Sequence, residues 1–105
     1  MSAFAFAVDT LFTDPNMSVD AVYYPGGAEP GQPVRVMTRA PDRIASFGEG
    51  RFVAEAILID VRTSEVAELR RGDTFEIGGR VLEIRSDPVR DSERLTWAAE
   101  ARELG

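Results

Sequence analysis

The dipeptide Gly78-Gly79 lies between two short segments, Thr74-Phe-Glu-Ile and Arg80-Val-Leu-Glu-Ile. No other feature constrains the fold as tightly. A two-residue Gly-Gly loop supplies the positive φ values that a tight hairpin turn needs. That turn sets the register, and the register puts Phe75 opposite Leu82. Ile77, Leu82 and Ile84 then share one face, while Glu76 and Glu83 share the other. Turn chemistry and apolar pattern agree, so the segment is predicted to be an antiparallel hairpin with one buried face.

The period of two recurs along the chain. Val19, Ala21 and Tyr23 alternate with Asp20 and Val22, and Val34, Val36 and Thr38 alternate with Arg35 and Met37. Residues 52–61 form the longest β-like run. Apolar residues on both its faces predict a central strand. Leu95, Trp97, Ala99 and Ala101 alternate in a last strand, where Trp97, like Tyr23 earlier, reads as core. Pro25-Gly26-Gly27 and Pro30-Gly31 mark one connection. Asp87-Pro88 and residues 90–93 mark another.

Two stretches follow a helical period. Phe4, Val8, Leu11 and Phe12 fall at i, i+4, i+7 and i+8, and Asp14-Pro15-Asn16 ends that segment. The helix is expected to cover one end of the core or to dock on a neighbouring subunit. Thr63 is placed as an N-cap, Glu65 lies in the first turn, Arg70 and Arg71 lie in the last, and Gly72 follows. This predicts a short helix near 64–71. The whole is therefore expected to be mainly β. It reads as a small β-barrel of about six strands with a short N-terminal helix and that second helix, one domain over 1–105. The N-terminal helical segment is 1–16. Residues 40–51 carry Pro41, Gly48 and Gly50 and are predicted to be a mobile loop. Within it Arg43, Ile44, Phe47 and Arg51 are the candidate contacts with a partner.

Composition excludes several chemistries. The 105 residues include no His and no Cys, and all 12 basic residues are Arg. The commonest general base, thiol nucleophiles, Schiff-base lysines and the Walker-type lysine are all absent. Asp60, Asp73 and Asp87 follow no metal-binding spacing, and each has a local reason to be where it is. No catalytic, cofactor-binding or metal-binding residue is expected. The net charge of −6 opposes wrapping a nucleic acid with the whole surface. No run of 18 apolar residues could span a membrane. The apolar stretch 3–8 lacks preceding basic residues and is followed at once by Asp9, which argues against a signal core.

The segment Val61-Arg62-Thr63-Ser64-Glu65-Val66-Ala67-Glu68-Leu69-Arg70-Arg71-Gly72-Asp73-Thr74-Phe75-Glu76-Ile77-Gly78 resembles the head–tail joining proteins of lambda-like tailed bacteriophages. That family pattern is a strand ending in Val-Arg-Thr, then Glu-Val, then Leu-Arg-Arg-Gly-Asp-Thr, and a strand ending in Ile-Gly. The match is nearly continuous from Val61 to Gly78 and collinear but weaker to Trp97. The matched residues read as a structural corner of strand, helix and hairpin and mark no active site. The chain ends in Arg102-Glu103-Leu104-Gly105, so contacts assigned to a basic C-terminal extension in the lambda member are not carried over.

The resemblance implies a structural virion protein at the head–tail junction, made in the host cytoplasm and without a cofactor. It would be a ring, taken as a hexamer, that completes the DNA-filled head. Its partners would be the portal or its adaptor on one side and the tail terminator or tail tube on the other. DNA would pass through the lumen without sequence-specific binding, and no membrane would be involved. Acidic residues such as Asp20, Glu76 and Glu83 are candidates for the lumen wall, with Arg side chains at subunit interfaces. The alternatives are a tail terminator or other ring protein of the same neck, and a small nucleic-acid-binding barrel.

Overall fold

A computed structural model describes residues 3–39 and 56–104. Its elements, in chain order, are α1 (Ala3–Thr13), β1 (Val19–Tyr24), a single 3₁₀ turn (Pro25–Gly27), β2 (Gln32–Arg39), β3 (Ile57–Arg62), β4 (Thr74–Ile77), β5 (Arg80–Ile84), β6 (Val89–Arg90) and β7 (Thr96–Glu103). Six of the strands form a closed antiparallel barrel in the order β1-β2-β3-β7-β5-β4, with β4 returning to β1. Closure removes the long free edges that an open sheet of this size would present.

The hairpin forms as its turn chemistry predicts. Gly78 and Gly79 have φ of 59° and 83°, the double positive value of a type I′ turn. Phe75 pairs with Leu82. Phe75, Leu82 and Ile84 are buried and Ile77 packs at the margin of the same core. The alternation in β1, β2 and β7 is equally direct. Ala21, Tyr23, Val34, Val36, Trp97, Ala99 and Ala101 all point inward. β3 is central, bonded to β2 on one side and β7 on the other, with Ile59 and Val61 fully buried. Each large core side chain of this kind contributes about 1.5–3 kcal/mol of transfer free energy.

Three expectations need correction. The first is the helix near 64–71, where a pair of turns replaces it. Only one helix-like turn closes, with the Glu65 and Val66 N–H groups donating to Arg62 O. A helix would next join the Arg70 N–H to Val66 O. Instead Trp97 Nε1–H takes Val66 O at 2.9 Å, and the Arg70 N–H donates to Asp73 Oδ2 at 2.9 Å. Thr63 does not act as an N-cap, because its hydroxyl donates to Arg94 O. Val66 and Leu69 are both buried beneath the barrel wall. Tertiary hydrogen bonds therefore outcompete a local preference of a few tenths of a kcal/mol per residue.

The second correction concerns the loop after β5. Val89 and Arg90 form a two-residue strand, β6, on β7. β5 pairs with β7 only at Ala101–Glu103, which frees the edge of β7 at Trp97 and Ala98 for it. The third concerns α1. Only Phe12 is buried, and Phe4 and Leu11 are exposed. The helix packs on β2 by one end and leaves most of its apolar surface uncovered. The 40–51 loop, with Arg43, Ile44, Phe47 and Arg51, lies outside the described residues, as do positions 52–55 of the longest β-like run.

Candidate assembly surface

The Val61–Gly78 segment builds one corner of the barrel, and its residues divide into core and latch. Val61, Val66 and Leu69 supply core side chains. Gly72 has φ of 97°, which explains a glycine there without a helix to cap. Asp73 is buried, at 4% exposure, and no cation pairs with it among the described residues. Three donors surround its carboxylate instead. The Gly26 N–H donates to Oδ1 at 2.7 Å. The Tyr23 hydroxyl and the Arg70 N–H donate to Oδ2 at 2.6 and 2.9 Å. Hydrogen bonds of this number offset the desolvation of a buried carboxylate. Burial, and then the bond to Asp73, hold the Tyr23 hydroxyl well above the ordinary tyrosine range. The latch ties the β1–β2 turn to the start of β4, where Thr74 is also buried. Arg70 and Arg71 point outward and pair with Glu68 and Asp87.

Arg62 leaves the same corner in the other direction and holds α1. Its guanidinium pairs with Asp9 of α1 and with Glu65, each at 3.0 Å. It also lies 5.4 Å from the centroid of the Phe12 ring. Its Nε is buried without a hydrogen-bond partner. The C-terminal end of α1 is capped from the barrel. Phe12 O accepts from the Ser18 hydroxyl at 2.6 Å and from Arg35 Nε at 3.0 Å, a cation placed where the helix dipole favours it. Thus one end of the helix is clamped. The N-terminal two turns carry exposed Phe4 and Phe6, with Leu11 further along and Met17 and Val19 beyond the helix. At 3.6 residues per turn, Phe4, Ala7 and Leu11 form a ridge beside the buried face.

Two concavities flank these elements. A cleft of about 330 Å³ opens between β1 and the hairpin tip, lined by Asp20, Val22, Pro33, Glu76 and the two hairpin glycines. It exists because β1–β4 pairing stops at Val22 and Glu76. A smaller notch of about 170 Å³ lies under α1, lined by Ala5, Val8, Asp9, Arg62, Thr63, Ser64 and Leu95.

Most arginines among the described residues are paired within the chain. Arg35, Arg39, Arg62, Arg70, Arg71, Arg80 and Arg85 each pair with a carboxylate of the same molecule. Of the acidic residues named above, Asp20 has Arg35 and Glu83 has Arg85, while Glu76 accepts from the Tyr24 hydroxyl. Arg90 lies over the Trp97 ring at 5.0 Å. No His or Cys exists, and among the described residues no group of three acidic side chains could hold a metal ion. No helix among them is long and apolar enough to cross a membrane.

The surface that sequence reasoning missed is Phe6. It falls off the helical apolar face and carried no pattern signal. Phe4 and Leu11 were legible as one helical face, expected either to cover the end of the core or to dock on a neighbouring subunit, and they are exposed. The arrangement offers exposed apolar side chains on a helix clamped at one end, beside an apolar notch, on a barrel whose arginines are mostly self-paired. Such a surface suits protein–protein assembly.

No curated protein matches this chain. The family model described as the phage head–tail attachment protein matches residues 1–101. That span takes in α1, β1 to β6, β7 as far as Ala101 and the Val61–Gly78 corner. Its members are structural proteins of the phage particle that interact with other head and tail proteins. The chain belongs to the phage head–tail attachment protein family.

Proposed function

We propose that this protein is a ring-forming stopper or connector: several copies close the DNA-filled head below the portal or its adaptor and present the surface on which the tail docks. The observation that carries this reading is the family match across residues 1–101. A self-closed barrel with uncovered apolar side chains on one flank supports it. The ring is taken as a hexamer, and the protein acts without cofactor and not as an enzyme. Arg43, Ile44, Phe47 and Arg51 are proposed as contacts to a neighbour or to the portal complex. Glu76 is the first choice for the lumen wall, because Asp20 and Glu83 are already paired with arginines and DNA phosphates slide past unpaired carboxylates without being held.

The test is reconstitution. Particles assembled without this protein should accumulate as DNA-filled heads and separate tails. Adding the purified protein should first stop DNA leaking from the heads and then join tails to them. Heads that retain DNA and accept tails in its absence would sink the reading. If the missing protein instead leaves tails of uncontrolled length, the chain is a tail terminator.

A further inference from the structure

We propose that the notch under α1 receives Phe6 of a second copy of this chain, so that each subunit offers a knob on one side of its N-terminal helix and a hole on the other. This inference rests on the ring reading above and names its contact.

The notch has room for an aromatic ring. Its volume is about 170 Å³, and an apolar cavity of about 150 Å³ accommodates benzene. Ala5, Val8 and Leu95 supply apolar walls, and Arg62 closes one side. Asp9 and Arg62, the two charged groups there, are paired with each other. The occupant therefore needs no charge. Phe6 is the most exposed large apolar side chain of the described residues, at 68%. It cannot fill its own notch. At 3.6 residues per turn it lies roughly 100° around the helix from Ala5 and roughly 120° from the buried Phe12. It stands apart from the Phe4–Ala7–Leu11 ridge, next to Ala3, Thr10 and Thr13, so no neighbour on its own helix covers it.

The patch itself offers a basic partner no free carboxylate, and a second copy meets no like charge there. The chain carries −6 overall, and two such molecules repel unless they meet through uncharged surface. Within residues 3–13 Asp9 is the sole charged side chain, and Arg62 neutralises it. Knob and hole are different surfaces, so the contact is heterologous, the type that builds rings. The area sets its strength. Phe6 offers on the order of 100–150 Å², and Phe4 and Leu11 extend the patch without bringing it to the roughly 800 Å² per partner of a stable interface. Isolated chains are therefore monomeric at micromolar concentration, and the contact forms when a head surface holds copies side by side.

The absence of native cysteine makes the test clean. Thr10→Cys places a thiol one turn from Phe6 and leaves the knob intact, and Ser64→Cys places one on the rim of the notch; both positions are exposed. The two variants, mixed at about 1 mM or loaded together on heads and oxidised, should form a 10–64 disulfide. Adding Phe6→Glu to the Thr10→Cys chain should lower its yield at least tenfold while leaving the circular dichroism and melting of the barrel unchanged. Yields that ignore residue 6, no 10–64 disulfide at all, or a dominant 10–10 disulfide would each overturn the contact. Amine-free carboxyl cross-linking of wild-type chains on heads separates the two readings. Ladders without the 10–64 bond leave the ring standing and remove this interface, and no ladder removes the ring itself.

Discussion

Two parts of the family-matched region obey different physics. The corner from Val61 to Ile84 is over-determined. A glycine-specified turn, alternating side chains and a buried carboxylate with three donors all select the same geometry. The N-terminal helix is under-determined. It has 11 residues, no acidic residue in its first turn and no basic residue in its last. Isolated helices of that length are marginal in water. One buried phenyl ring, one ion pair and a capped carbonyl hold it. A corner of the first kind makes a rigid frame. An element of the second kind keeps apolar surface for another molecule at little cost to its own fold.

Substitutions on the two sides should therefore separate by magnitude. Phe75→Ala, at a fully buried position, should lower unfolding free energy by about 3–5 kcal/mol. Urea midpoints measure this, and a loss under 1 kcal/mol would show that the hairpin is not the centre of the core. Asp73→Ala strands the Tyr23 hydroxyl and the Gly26 and Arg70 N–H groups. The expected loss is about 2–3 kcal/mol, since each buried donor left unpaired is costly.

Tyr23→Phe should cost about 1–2 kcal/mol near neutral pH, and it sharpens the comparison through pH. The folded-state pKa of Tyr23 is raised above the ordinary value of 10.0, by burial first and by Asp73 second. Above pH 10 the unfolded chain releases this proton while the folded chain keeps it. The unfolded state then binds fewer protons, so stability falls as pH rises. Its contribution is fully present below pH 10 and is lost above. Wild-type protein should lose stability between pH 10 and 11 more steeply than Tyr23→Phe does. Parallel curves would mean that the hydroxyl is not held by the latch.

On the helix side, Asp9→Ala removes the partner of Arg62 and should cost about 0.5–1 kcal/mol. Amide exchange should quicken in α1 while β3 and β7 keep their protection. If β3 loosens as well, the helix is part of the frame and the contrast drawn above fails.

What was legible follows range of interaction. Register in the hairpin depends on neighbours three to nine residues apart, and Gly78-Gly79 states it outright. Inward alternation in β1, β2 and β7 is legible for the same reason. The helix expected near 64–71 failed because Trp97 Nε1, 31 residues further along the chain, takes Val66 O, and because the nearby Asp73 carboxylate, held by Tyr23 from β1, takes the Arg70 N–H. The exposed side of α1 was hidden because an apolar period states that a face exists, without stating what covers it. Phe6 had no period at all.

By itself the sequence determined the β class, the turn at Gly78-Gly79, the inward sets of side chains and, through the Val61–Gly78 pattern, the family. These are properties of local stereochemistry and of residue order. Only the tertiary structure decided that β3 meets β7 to close the barrel, that Val66 and Arg70 spend their backbone groups on Trp97 and Asp73, and that α1 is clamped at Phe12 with Phe6 left in water. Each of those outcomes depends on at least one partner distant in the chain: β7 for β3, Trp97 for Val66, Tyr23 for the Asp73 carboxylate that holds Arg70, and Arg62 for α1. Burial and hydrogen-bond satisfaction in three dimensions decide these outcomes, and a one-dimensional pattern does not contain them.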